Sequence, residues 1–390
     1  MKVLLFANTD WYLYNFRRSL ALAIQASGYE VLLVSPPGEY GQRLRDLGLR
    51  WEPIRMDRRS LNPIREAALL VHLASLMRRE RIDLVHGFTI KSAVYGALAG
   101  RLAGTRARVS AVAGLGYVFT SFNLKARLLR PLVKGLLRLT LGGNGARLIL
   151  QNPDDVALFK RAGLIEASRI RLIHGSGVDC RRFTPRVARI DASGSAAPRV
   201  LLAARLLWDK GLGEYAQAAR ILREQGREVI FLLAGTPDMG NPGAVPEGTV
   251  RGWMDEGLLQ WLGHVEDMGA LFASVDIVTL PSYYGEGLPK SLIEAAACAL
   301  PLVTTDIPGC REVVANDEVD GLRVPPRDAN ALAKAIGRLL DDPNFAAKLG
   351  QAARAKALAQ FDERIVIERT LAVYEELLGP SPEISLRFHT

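Results

Sequence analysis

The stretch DIVTLPSYYGEGLPKSLIEA, Asp276 to Ala295, begins as a strand, breaks at two glycines and resumes as a helix. Asp276–Pro281 is a short Val/Leu/Ile-rich run of strand length. Gly285 and Gly287 let the backbone turn sharply and come close to a ligand. Pro289 suits the first helical turn, where its missing N–H costs nothing. Leu292, Ile293, Ala295, Ala296, Ala297 and Cys298 then make that helix apolar on every side, the mark of a buried helix.

The same strand-turn-helix unit recurs outward in both directions. Strands are expected at Lys2–Asn8, Glu30–Ser35, Asp83–Phe88, Arg108–Ala113, Arg147–Gln151 and Arg171–Gly175. A second series follows at Arg199–Arg205, Glu228–Gly235 and Leu300–Thr305. Near-continuous apolar strands alternating with amphipathic helices imply parallel sheets covered on both faces. That is the α/β class, and the doubly wound, Rossmann-like pattern occurs twice. Two such domains imply a cleft between them, outside the carboxyl ends of the strands.

A length of 390 residues fits two domains. The segment Thr184–Pro198, rich in Pro, Ser, Ala and Gly, reads as a linker. It divides a first domain, residues 1–183, from a second, residues 184–361. A helix at about 362–378 is expected to pack back on the first domain. Cys180, Cys298 and Cys310 lie far apart, without metal or redox spacing, which fits a reducing cytosol. The opening MKVLLF is too short for a signal peptide, and the charge-free run Val109–Leu124 is too short to span a membrane.

Charge is distributed unevenly. Residues 1–185 hold 29 Lys/Arg against 13 Asp/Glu, whereas the remainder holds 21 against 28. No carboxylate occurs between Asp83 and Asp154, while ten basic residues lie from Lys91 to Arg147. Nucleic acid, an anionic membrane face and a phosphate-bearing substrate each fit that surplus.

Two constellations carry chemistry. At the turn, the backbone N–H groups of Gly287 and Leu288 and the helix dipole favour an anion such as a phosphate. Glu286 sits beside them, and Glu294 lies about 12 Å further along the helix. Carboxylates so separated suit the hydroxyls at the two ends of a nucleotide-sugar. A solvated cap is the competing reading of Glu286, but Glu294 lies among apolar residues, and a buried carboxylate needs a partner. The second constellation, RLLWDKG from Arg205 to Gly211, directly follows a strand. Arg205 as a fork and Lys210 as a point charge suit a leaving diphosphate. A plain surface cluster neutralised by Asp209 is the alternative.

Arg205 and Lys210 combined with Glu286 and Glu294, inside EGLPKSLIEAAACALPLVTTDIPG, resemble the retaining glycosyltransferases of family 4, which have the GT-B fold. His174-Gly175-Ser176-Gly177-Val178-Asp179 with Phe183 and Pro185 shares the resemblance, which covers nearly the whole chain. Ser60-Leu61-Asn62-Pro63 and Gly114-Leu115-Gly116-Tyr117-Val118-Phe119 are similar to bacterial transferases, N-acetylgalactosaminyl enzymes among them, that extend undecaprenyl-diphosphate-linked sugars. The resemblance implies that Arg205 and Lys210 contact the donor diphosphate and that Glu286 holds donor-sugar hydroxyls. Glu294 would bind the ribose, and Gly287, Leu288 and Gly177 would complete the donor site. It also implies retention of configuration by a same-face displacement, with no metal and no cofactor, a UDP-sugar being a substrate. Three departures stand out: Ala113 and Phe88 replace histidines common in the family, and Ala299 replaces a glycine. Ala113 leaves the donor sugar open. His86 reads as a structural strand-end residue or a site residue.

Phe119–Arg147 interleaves leucines with Lys125, Arg127, Arg130, Lys134 and Arg138, a pattern for a basic amphipathic helix on an anionic membrane. A core helix with a basic outer face is the alternative. Arg17, Lys91 and Tyr117 are the expected contacts to an acceptor diphosphate. The resulting expectation is a transferase moving an N-acetylhexosamine from a UDP-sugar to a polyprenyl-diphosphate-linked sugar, in surface polysaccharide or glycoprotein glycan assembly. It would act in the cytoplasm, held peripherally at the inner membrane face. A UDP-sugar 2-epimerase of the same fold is one rival. A nucleic-acid binder is another, disfavoured because the basic tract has few aromatic residues for stacking. A dinucleotide oxidoreductase is disfavoured because no G-x-G-x-x-G follows the first strand.

Overall fold

The structure is a computed structural model that describes residues 1–57, 62–112, 135, 137–185, 197–238 and 240–380. The chain divides into two compact units, Met1–Ser176 with Arg364–Thr390, and Gly177–Glu363.

The first unit is built on seven parallel strands: β1 (Lys2–Phe6), β2 (Glu30–Ser35), β3 (Arg50–Pro53), β4 (Leu84–Phe88), β5 (Ala107–Val112), β6 (Ala146–Leu150) and β7 (Ile170–Leu172). Their order is β3-β2-β1-β4-β5-β6-β7, so the winding reverses between β1 and β4. The helices are α1 (Asp10–Ala26), α2 (Tyr40–Asp46), α3 (Pro63–Arg79), α4 (Ile90–Ala103) and α5 (Pro153–Arg161). Side-chain caps start several of them. Thr9 Oγ1 accepts from Tyr12 N, and Asn62 and Asn152 cap α3 and α5, each with proline next in the chain. Alternation along the strands feeds two cores. Val3 and Leu5 pack with Leu13, Leu20 and Ile24 of α1, while Leu4 and Phe6 pack with Leu69, Leu73 and Leu76 of α3.

The second unit has six parallel strands: β8 (Arg199–Ala203), β9 (Ile230–Ala234), β10 (Gln260–Gly263), β11 (Ile277–Leu280), β12 (Leu302–Thr305) and β13 (Leu322–Val324). The order β10-β9-β8-β11-β12-β13 reverses between β8 and β11. Its helices are α6 (Leu212–Glu224), α7 (Glu247–Asp255), α8 (Met268–Ala273), α9 (Lys290–Ala297), α10 (Cys310–Val313), α11 (Ala329–Asp341) and α12 (Pro343–Lys356). Every residue of α9 from Leu292 to Ala297 is buried, as its all-round apolar pattern implies.

The units part at Ser176/Gly177, seven residues ahead of the 183/184 boundary that composition suggests. Packing is the reason: Val178, Cys180 and Phe183 are buried in the second unit's core with Phe272, Leu292 and Phe361. Val178 N donates to Phe361 O at 2.9 Å and Glu363 N to Val178 O at 3.0 Å, so the outgoing and returning segments are bonded together. Gly177 has φ +71°, and a Cβ there would run into Glu363. The C-terminal helix, Glu363–Leu378, sets Val366, Val373, Tyr374 and Leu378 into the first unit's core beside Val3 and Leu5. Its Glu376 pairs with Arg147 at 2.7 Å and with Arg171 at 2.5 Å.

Candidate functional site

The second unit's polar cluster lies where β8 and β11 end, at the reversal of strand order. That crevice is where open α/β sheets bind ligands. Past β8 the chain makes a 3-10 turn, Trp208–Lys210, and Gly211 with φ +77° starts α6. A side chain at Gly211 would collide with the Pro281 carbonyl, so this glycine lets the two loops touch. They are then joined by hydrogen bonds. Tyr283 N donates to Asp209 O at 3.0 Å, and Ser282 Oγ donates to the same carbonyl at 2.8 Å.

Lys210 Nζ contacts Glu286 Oε1, and Ser282 Oγ lies 2.9 Å from the same oxygen. Lys210 and Glu286 side chains are each 14% exposed, so the pair is largely out of water. From below, Thr305 Oγ1 donates to Ser282 O. Gly309, φ +84°, presses on the Glu286–Gly287 peptide, where a Cβ would lie 2.5 Å from Gly287 O. The Gly-Glu-Gly turn is therefore clamped by the β12–α10 loop, and the carboxylate it carries is held in one place. Asp209, half-buried beside the pair, has its carboxyl pushed up by burial and by Glu286, with Lys210 and Arg205 opposing. Its buried Oδ1 has no hydrogen-bond partner.

Arg205 stands apart from this pair. Its side chain is exposed and its Nη1 pairs with Asp238 Oδ2 at 2.7 Å, beyond the end of β9. Only the arginine side of this pair is open: Asp238 is 14% exposed and also accepts from Asn241 Nδ2 at 3.1 Å, so the carboxylate keeps a donor if the guanidinium turns elsewhere. Glu294 is buried on α9, its carboxyl pushed up by burial against the opposing charges of Lys290 and Arg182. Lys290 Nζ stands 3.7 Å from Glu294 Oε1. Burial and Glu294 together push the Cys298 thiol up to about 12, which removes it as a nucleophile. Leu288 directly precedes Pro289, whose carbonyl accepts from Ile293 N in the first turn of α9. Gly177 lies at the chain crossing, where its glycine is required by the backbone of Glu363.

Ser282, Thr305 and Asp238 were not expected from sequence, and Asp209 only as a neutralising partner, a place that Asp238 and Glu286 take instead. Single polar residues in loops have no spacing signature; only the position of Ser282 just ahead of Tyr283-Tyr284-Gly285 hinted at it. Ala299 has φ +56°, a left-handed residue, so the glycine that the resemblance leads one to expect there would suit the backbone conformation.

In the first unit, Lys91 Nζ is held by Glu66 Oε1 at 2.9 Å and by Asp57 O at 2.7 Å. Arg17 is buried and donates from Nη2 to Tyr12 Oη at 3.1 Å. Tyr117, Ser60-Leu61, Ala113 and the Gly114–Phe119 motif lie outside the described residues, as do Lys125, Arg127, Arg130 and Lys134. Of the amphipathic segment's described end, Leu137 and Leu141 pack into the core with Leu148 and Phe159. His86 is fully buried, with Nδ1 2.6 Å from Tyr374 Oη. Burial and the nearby Arg17 charge hold it well below the usual imidazole range, so it is a neutral structural residue.

Two family models match this chain: "Glycosyl transferase 4-like" over residues 2–151 and "Glycosyl transferases group 1" over residues 197–342. An N,N'-diacetylbacillosaminyl-diphospho-undecaprenol alpha-1,3-N-acetylgalactosaminyltransferase of Campylobacter jejuni is 30% identical over 374 residues, 94% of this chain and 96% of that protein. The chain is a group 1, family 4-like glycosyltransferase. A UDP-Gal:alpha-D-GlcNAc-diphosphoundecaprenol alpha-1,3-galactosyltransferase of Escherichia coli is 26% identical over 296 residues, 73% of each chain. The crystal structure of Anabaena Alr3699/HepE in complex with UDP matches with a TM-score of 0.75 at 21% identity, covering 97% of this chain and 100% of that one. The fold of this glycosyltransferase is thus GT-B, two Rossmann-like units each reversing at its own switch point.

Proposed function

We propose that this glycosyltransferase moves an N-acetylhexosamine from a UDP-sugar to an undecaprenyl-diphosphate-linked glycan, with retention and without a metal, in bacterial surface polysaccharide or glycoprotein glycan assembly. One observation carries the reading: the Lys210–Glu286 pair, braced by Ser282, at the β8/β11 switch point of a chain aligned end to end with a transferase of that acceptor class. Lys210, and Arg205 once it leaves Asp238, neutralise the departing diphosphate, the charge that develops in the transition state. Gly287 and Leu288 sit at the turn before α9, where backbone amides and the helix dipole favour phosphate. Glu286 orients the donor sugar through its hydroxyls, and Glu294 accepts from the ribose hydroxyls. The acceptor hydroxyl attacks from the face that the diphosphate leaves. Its proton passes to the leaving phosphate oxygen, so no separate base is required, and positioning does most of the work.

The acceptor is lipid-linked, and the first unit's surface suits an anionic membrane better than nucleic acid. On α3, Ile64 and Val71 are 79% and 67% exposed, with Arg65 exposed next to Ile64 and Arg78 exposed about two turns beyond Val71. Exposed apolar residues beside arginines suit a headgroup boundary. No helix among the described residues is long and apolar enough to cross a membrane, so the reading is peripheral attachment at the inner face.

The test is a panel of UDP-sugars incubated with a short-chain polyprenyl-diphosphate sugar, with product mass and anomeric coupling measured, in EDTA. A mass increment of one N-acetylhexosamine with retained configuration is expected. An inverted linkage, a chelator-sensitive rate, or a UDP-sugar converted to an isomer with no acceptor consumed defeats the corresponding part of the proposal.

A further inference from the structure

Arg17 is the electrostatic anomaly of the first unit. It lies two turns into α1 and is 5% exposed. Its guanidinium carbon stands 4.2 Å from the centroid of the Phe88 ring and 5.6 Å from that of Tyr12. Tyr12 Oη accepts from one terminal nitrogen at 3.1 Å. The buried Nε has no hydrogen-bond partner, and among the described residues no carboxylate pairs with Arg17. The sequence supplies none from Asp83 to Asp154, and Asp10 spends its oxygens on the amides of Trp11, Tyr40 and Gly41. Ring faces attract a cation without neutralising it. A buried charge left in that state calls for an anion from outside the fold.

Its place is the second switch point. β1 and β4 are neighbours, the strand order reverses between them, and α1 and α4 both start from that end. Phe88 is the last residue of β4. The next residue, Thr89, has φ +69° and ψ 158°, a region almost reserved for glycine. Thr89 Oγ1 and the Oγ of fully buried Ser92, in the first turn of α4, also lack hydrogen-bond partners. Unspent polar atoms and backbone strain therefore gather at the same strand ends. Lys91, the neighbouring cation, is committed to Glu66.

We infer that Arg17 is the cation that receives the diphosphate of the lipid-linked acceptor, and that Phe88 and Tyr12 are positioning residues that hold its guanidinium ready. The inference deepens the function proposed above and rests on it for the identity of the anion. It also accounts for the departure at position 88. A histidine there would set a second titratable ring against the guanidinium and repel it when protonated; phenylalanine offers a ring face at every pH. The ring of His86, its centroid 4.1 Å from that of Phe88 and its Nδ1 tied to Tyr374, packs against the same phenylalanine.

The experiment compares two acceptors carrying the same sugar, a polyprenyl diphosphate and an uncharged octyl glycoside, in wild type, Arg17→Gln, Arg17→Lys and Phe88→Leu. Arg17→Gln is expected to lower kcat/KM for the diphosphate acceptor roughly 10- to 100-fold, the worth of a charge-assisted hydrogen bond. Turnover of the octyl glycoside and KM for the UDP-sugar stay within about 2-fold. Arg17→Lys keeps the charge and should fall between, and Phe88→Leu should raise KM for the diphosphate acceptor while sparing kcat. Equal losses on both acceptors, or no loss on either, overturn the assignment. Where Arg17→Gln does not fold by circular dichroism, Arg17→Lys decides by the same comparison. Should wild type use no lipid-linked acceptor at all, the functional proposal has failed, and titration of UDP-saturated full-length protein with inorganic pyrophosphate then reads Arg17 separately. Pyrophosphate affinity lost in Arg17→Gln, or lowered in Arg17→Lys where the glutamine variant does not fold, sustains an anion site, whereas unchanged affinity in both, or none in wild type, removes it.

Discussion

Replacing Lys210 by alanine leaves the Glu286 carboxylate largely out of water, next to a second carboxyl, Asp209, whose Oδ1 already lacks a partner. Breaking a buried pair by removing one member costs about 3 kcal/mol, the low end applying here because 14% of each side chain still meets solvent. For a unit of this size that corresponds to a fall in Tm of about 6–12 °C by calorimetry. On the role proposed for Lys210, turnover should drop by about 100- to 1,000-fold, the worth of a charge aimed at the leaving diphosphate. The two effects separate in the double variant Lys210→Ala/Glu286→Gln. It removes the stranded charge and so should recover most of the lost Tm, while turnover stays at least as low as in the single variant. A single variant with unchanged turnover would sink the donor-site assignment. A double variant no more stable than the single one would show that the pair is not the electrostatic unit described here.

On the role proposed for Glu294, Glu294→Gln should weaken UDP binding by about 10- to 100-fold in titration calorimetry, the worth of a charge-assisted hydrogen bond to the ribose. It should be at least as stable as wild type at pH 7. The native Glu294 carboxyl is pushed up, so its contribution falls as pH rises from the ordinary carboxylate value through the native one. Ala299→Gly relieves a left-handed alanine and should raise stability by about 0.5–1 kcal/mol in urea melts; a lower midpoint would contradict the backbone argument. Glu80, bonded by Arg50 at 2.6 Å and helped by Lys2, is held down at about 2. Its stabilisation is therefore present above the ordinary carboxylate range and lost as pH falls toward 2, so wild type and Glu80→Gln should differ at pH 6 and converge in acid. A constant difference across that window would rule this out.

Buried strands announced themselves as unbroken apolar runs, and the central ones of both sheets match their expected positions. β3, β10 and β13 did not, for a physical reason. Each is an edge strand: Arg50–Pro53 and Gln260–Gly263 carry polar residues because one side meets water, and Leu322–Val324 is three residues long with an arginine at its centre. At the site, Lys210, Glu286 and Glu294 were legible because charged residues beside glycine turns or inside an apolar helix violate the surrounding pattern. The hydroxyl of Ser282 and the pairing of Arg205 with Asp238 depend on which loops meet at the sheet end, a tertiary fact. The unit boundary misled for the complementary reason: composition marks Thr184–Pro198, while three apolar side chains ahead of it are claimed by the second unit's core.

The return of the C-terminal helix makes the second unit an insertion within the first. A ribosome therefore releases all of Gly177–Glu363 before it makes the helix whose Val366, Val373, Tyr374 and Leu378 close the first sheet's core. At roughly 1.5–3 kcal/mol for each such side chain, the earlier-made half stays unfinished longest, and its exposed apolar face during synthesis is where chaperones would be needed.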